Sequence, residues 1–138
     1  MRYGVRPFSC DSRLVMPFNK RQQAAAERLL AATLTEACEA AKAEIVGFSW
    51  LTHEVDYAAF AASLVVVWVF DTQAHKEQAL TAGQGARMLE LTARALEEAD
   101  VHLDALEARV FFDSEEQCRR INGGDWAQRL KRLRPGRG

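Results

Sequence analysis

The stretch Asp71-Thr72-Gln73-Ala74-His75-Lys76-Glu77-Gln78-Ala79-Leu80-Thr81-Ala82-Gly83-Gln84-Gly85-Ala86-Arg87-Met88-Leu89 decides how this chain folds. Asp71 and Thr72 are helix-capping types, and Ala74, Ala79 and Leu80 give the helix after them an apolar side. Gly83 and Gly85 then break it, because glycine inside a helix costs about 1 kcal/mol against alanine and reaches positive φ without penalty. Beyond the break, Met88, Leu89, Leu91, Ala95, Leu96 and Ala99 return at helical spacing. Arg87, Glu90, Arg94, Glu97 and Glu98 lie opposite them, with Glu90 placed to pair with Arg94 four residues on. The spacing predicts two helices bent at residues 83–85.

Upstream, Leu64 to Phe70 reads Leu-Val-Val-Val-Trp-Val-Phe, a strand apolar on both faces and therefore central. Phe48 to Asp56 is a second strand, joined to it through Tyr57–Ser63 as a long hairpin. Before these, Leu30, Leu34, Ala37, Cys38, Ala41 and Ile45 line one side of an alanine-rich helix from Lys20 to about Glu44, with Asn19 as its cap and Gly47 closing it. Downstream, Leu106, Ala108, Val110 and Phe112 alternate with Glu107, Arg109, Phe111 and Asp113, the period of a third strand. Asp113 to Gly124 is polar. Trp126, Leu130 and Leu133 mark a short basic helix stopped by Pro135-Gly136.

A hairpin makes the first two strands antiparallel, and a helical crossover makes the next pair parallel. The order αββααβ thus predicts an α+β fold, a three-stranded mixed sheet with helices on one face. Its other face is left for solvent, a partner or the tail. Residues 1–18 read as an N-terminal extension or an overcalled start with translation beginning at Met16, 19–117 as the domain, and 118–138 as a basic tail with a short helix.

With 138 residues, 49% hydrophobic and 27% charged, the chain supports one core and excludes disordered and disulfide-scaffold classes. Its net charge of −1 conceals a segregation: residues 1–20 carry +3, 119–138 carry +6, and the body between them −10. Basic ends on an acidic body fit contact with phosphate backbones or, equally, a solubilising tail. Cys10, Cys38 and Cys118 are too few and too scattered for a zinc site, which points to a reducing, cytoplasmic setting. No apolar run approaches the roughly 18 residues of a membrane helix, and no signal-like apolar segment follows the first arginines.

The succession of elements resembles type II KH domains and, within them, the ribosome-binding factor A family. The likeness is carried by Gly47-Phe48-Ser49-Trp50-Leu51-Thr52-His53-Glu54-Val55-Asp56 after the long helix, by Leu64–Phe70, by the glycine-broken helix pair, and by Leu106 to Glu116. It implies a non-enzymatic module that binds RNA or a ribosomal subunit. In nucleic-acid-binding KH domains the helix pair is joined by GXXG, whose backbone approaches phosphates. Here that stretch is Ala82-Gly83-Gln84-Gly85, with alanine at the first glycine position.

On this reading the RNA-contacting residues are Lys76, Gly83, Gln84, Gly85, Arg87, Arg129, Lys131, Arg132 and Arg134. No membrane, small-molecule substrate, cofactor or metal is expected, and a homodimer is an open alternative. A protein-interaction module that keeps the fold without nucleic-acid affinity is the competing reading, and a DNA-binding regulator ranks behind both. Strand alternation sends His53 to one face and Glu54 with Asp56 to the other, so they form no metal or acid–base site. Gly83 and Gly85 also have a purely conformational reading as a helix–helix turn. Cys38 reads as a core filler. Cys118 beside Arg119 and Arg120 is in a setting that can lower a thiol pKa, but no histidine motif accompanies it.

Overall fold

The computed structural model describes residues 20–56 and 63–132. Helix α1 (Lys20–Glu44) leads into β1 (Phe48–Glu54) and β2 (Val65–Phe70). Next come α2 (Gln73–Thr81) and α3 (Gln84–Glu98), then a 3-10 turn (Leu106–Arg109) running into β3 (Val110–Ser114). Helices α4 (Glu115–Asn122) and α5 (Trp126–Lys131) end the described chain. The sheet order is β1-β2-β3, with β1 antiparallel and β3 parallel to the central β2. This is the αββααβ mixed sheet expected from the sequence. The reading of residues 1–18, Asn19, most of the 57–63 connection and Arg134 lies outside the described residues.

The sheet separates two apolar clusters. Leu64, Val66, Trp68 and Phe70 face Leu30, Leu34, Ala37, Ala41 and Ile45 of the α1 side and Ala79, Met88, Leu91, Ala95 and Leu96 of α2 and α3. Val67 and Val69 face the other way, onto Leu130 of α5, with Trp50, Phe111 and Trp126 around them. Every residue of β2 is fully buried, and each such side chain contributes about 1.5–3 kcal/mol of hydrophobic stabilisation. The indole N–H of buried Trp68 donates to Thr92 Oγ1 at 3.0 Å, and that hydroxyl donates to Met88 O at 2.8 Å, so the one polar atom of the ring is satisfied inside the core.

Phe48 and Trp50 are two residues apart and would share a face in a regular strand. They do not: Phe48 packs on Trp68 with ring centroids 5.1 Å apart, whereas Trp50 meets Trp126 edge-on at 4.9 Å on the opposite face. An irregularity between Phe48 and Trp50 in the β1–β2 register adds the residue that makes this possible, Ser49.

Three expectations need correction. The alternation at Leu106–Arg109 is a 3-10 turn, because Ala105 at φ 54 turns the chain and Ala108 N donates back to Ala105 O; only Val110–Ser114 is strand. The boundary at 117/118 falls inside α4, a helix the polar sequence conceals, and Cys118 is fully buried. Glu90 pairs with Arg87 rather than Arg94, because Arg87 is fixed from its other side by α1. The terminal segment is a helical hairpin folded onto the second sheet face.

Candidate nucleic-acid interface

Gly83 caps α3 in the left-handed conformation, φ 84, and its N–H donates to Leu80 O. A Cβ at Gly83 would meet nothing within 4 Å, so what the position demands is backbone freedom alone. At Gly85 a Cβ would come within 3.2 Å of Leu80 Cδ2, so this glycine lets α2 and α3 close on each other. Gln84 begins α3.

The cation beside the turn is engaged. Arg87 donates to both carboxylate oxygens of Glu44 at 3.0 Å and to Glu90 at 2.9 Å. Glu44 is held below the usual carboxylate range chiefly by that hydrogen bond, and Arg87 above its ordinary value by the two acids. Its guanidinium therefore ties α3 to α1. Lys76 stands seven residues before Gly83, about 10 Å back along α2 at 1.5 Å per residue. The structure does not bring Gly83, Lys76 and Arg87 into one cationic cradle.

Arg129 is likewise committed. Its Nε and Nη2 donate to the two oxygens of Asp113 at 2.6 and 2.9 Å, and its Nη1 donates to Asn122 at 2.8 Å. The hydrogen bond to Asp113 is the main cause that raises the guanidinium pKa. This fork fastens α5 to β3. Trp50 Nε1, donating to Glu115 at 2.6 Å, fastens the start of α4 to β1. Burial raises the Cys118 thiol pKa against the opposing pull of Arg129, which outweighs the lowering that neighbouring arginines suggest in the sequence. Burial also raises that of Cys38, which packs half-buried against the main core.

What remains is a set of surface charges on both sides of the sheet. Exposed Glu36, Glu39, Glu90, Glu97 and Glu98 on α1 and α3 are interspersed with exposed Arg21, Arg28, Lys42 and Arg94. Lys76, Arg119, Lys131 and Arg132, on α2 and the terminal hairpin, form no ion pair among the described residues, and Arg120 approaches Glu116 only to 4.0 Å. Sequence reasoning placed Arg119 and Arg120 in the basic tail without naming them among the contact residues, because α4 itself was missed. Its signals were present: Ser114 three residues before Gln117, whose N–H it accepts, and Gly123 in the left-handed conformation.

His53 pairs with Glu27 of α1 at 3.2 Å, on the opposite side of β1 from Glu54, and no cluster of three metal-ligating side chains exists among the described residues. No helix is long and apolar enough to cross a membrane, again among the described residues. No known family, curated protein or solved structure matches the chain.

Proposed function

We propose that this chain is a non-enzymatic RNA-binding module, of the ribosome-associated kind that its order of elements resembles, which contacts phosphates through the terminal hairpin rather than through the glycine turn. The observation that carries the reading is the cluster of cations on the terminal hairpin: Arg119, Lys131 and Arg132 form no ion pair among the described residues, while Arg87 and Arg129 are spent on the fold. Arg132 follows Arg129 by three residues and so shares the side of α5 that meets β3. A polyanion approaching the hairpin would neutralise these cations and release counterions.

A gel-shift series with a structured ribosomal RNA fragment at rising salt tests this. The wild-type chain should bind with a steep salt dependence. Lys131→Glu with Arg132→Glu should weaken binding and lower the log–log salt slope by about 1.8, at 0.9 per lost phosphate contact. Gly83→Ala should change it little. No binding at 50 mM salt, or loss on Gly83→Ala alone in a folded protein, would overturn the proposal.

A further inference from the structure

The outward side of α1 carries a charge order that its own helix does not use. Arg21 and Arg28 stand in the first half of its 25 residues, Glu36 and Glu39 in the second, and all four are exposed. A helix dipole favours acids first and cations last, yet no acid stands in the first turn of α1. Three and four residues to either side of Arg28 are Ala24, Ala25, Ala31 and Ala32, so no neighbour on the helix can pair with it. Glu36 and Glu39, three residues apart, repel each other. Neither these four side chains nor Lys42 forms an ion pair among the described residues.

Beside this face α1 and α3 leave an open groove of about 190 Å3. Its floor is apolar, from Ala37, Ala40, Leu91 and Ala95, and its rim holds the exposed Glu36 and Glu98. Leu29 precedes Glu36 and Ala40 by seven and eleven residues, so it lies on the groove side of α1, and it is 46% exposed. Arg28 precedes Glu39 by eleven and lies on the other side with it.

We propose that this face binds a second copy of the chain, α1 against α1 and antiparallel about a two-fold axis at Ala32. Leu29 of each copy enters the α1–α3 groove of the other, and Arg28 of each reaches Glu36 and Glu39 of the other. Ala32 is the middle residue of α1, with Arg28 four residues before it and Glu36 four after, each about 6 Å along the helix. An antiparallel two-fold therefore sets Arg28 of each copy level with Glu36 of the other, in a contact that closes at two. The axis keeps each residue on its own side, which leaves Leu29 over the groove and Arg28 beside Glu39. Side chains on a helix lean toward its N-terminus, so Leu29 of the second copy leans from the level of Thr35 toward Ala37 and Ala40. A parallel pair would set Arg28 against Arg28 and Glu36 against Glu36. With both signs present, the face offers a phosphate chain no run of cations. It uses α1 and α3, whereas the proposed RNA contact uses the terminal hairpin, so either can fail without the other.

Sedimentation equilibrium of the full chain over a hundredfold range of concentration is the test. The average mass should rise from that of one chain toward that of two and stop there. Arg28→Glu, Glu36→Arg and Leu29→Gln should each raise the dissociation constant at least about tenfold, since a few central residues carry most of an interface. An equimolar mixture of the Arg28→Glu and Glu36→Arg variants should associate about as tightly as wild type, because each copy then meets the opposite charge at both positions. A role confined to the single helix would give no such rescue. Circular dichroism checks that these exposed substitutions leave the fold intact. A mass that stays at one chain sinks the proposal, and means that the face is free, covered from within the chain or kept for a different partner. So does a mass that grows past two, a dimer that survives all three substitutions, or a mixture that associates no better than its parts.

Discussion

Replacing Arg129 by alanine asks whether the terminal hairpin belongs to the fold or trails from it. Arg129 gives two hydrogen bonds to Asp113 and one to Asn122, and the two charged side chains are only 17% and 14% exposed. A hydrogen bond to a charged group is worth about 1.5–3 kcal/mol, and breaking a fully buried ion pair costs about 3–5 kcal/mol. Residual exposure lets water reach the abandoned carboxylate, and Ser114 N still donates to it, so the loss should be about 2–3 kcal/mol. At about 4 °C per kcal/mol for a fold near a hundred residues, Tm should drop about 10 °C. Urea titrations followed by circular dichroism supply the measurement, with Asp113→Ala and the double variant closing a thermodynamic cycle whose coupling should be about 2 kcal/mol. Lys131→Ala, two residues along on the exposed side of α5, is the control and should stay within 0.5 kcal/mol of wild type, as surface changes ordinarily do, to about that margin. An Arg129→Ala loss as small as the control's would show that the fork does not hold α5 on the sheet, and the account of the second face would fall with it.

Two further outcomes follow from the backbone and from charge. Gly47 has φ 85, and a Cβ there would collide with the Cβ and imidazole of His75, so Gly47→Ala should cost well over the about 1–2 kcal/mol of left-handed strain that Gly83→Ala incurs with open space around it. Equal melting temperatures for the two variants would contradict this. The Asp71 carboxyl is held below its usual range, first by the hydrogen bond shared with His75 and then by Thr72 N. Folding lowers its pKa, so its stabilisation is present above the unfolded value of about 3.9 and is lost as the pH falls through the lower folded value. Asp71→Asn should therefore be less stable than wild type at pH 6 and indistinguishable from it at the acid end; a gap that widens on acidification would reverse the sign.

The sequence is most informative where one periodicity dominates. Helix α1 ends where its stripe of Leu30, Leu34, Ala37, Ala41 and Ile45 ends, and Thr72 caps α2 as its type suggests, accepting from His75 N. Leu106 and Ala108 mislead because two apolar residues at a spacing of two fit a strand as well as a tight turn, and only Ala105 in the left-handed region decides between them. Helix α4 shows no stripe because it buries one residue, Cys118. The candidate site was harder still. Glu44 and Arg87 lie 43 residues apart, and Asp113 and Arg129 sixteen. Whether an arginine is available to a ligand depends on which carboxylate tertiary packing brings to it, and no local pattern encodes that. Strand order and direction, by contrast, follow from connection lengths, which are plainly written in the chain.

The extra residue at Ser49 governs how β1 can change in length. Its two halves run in opposite phase, one keyed to Trp68 and the other to Trp126. Deleting Ser49 would leave Phe48 and Trp50 as neighbours opposite Phe70 and Val69, positions that a regular strand sends to opposite faces, so both rings would keep their clusters. Loss of the bulge is therefore the one change of length that β1 absorbs without a compensating change, whereas a deletion between Leu51 and Glu54 would turn the residues on one side of it to the other face.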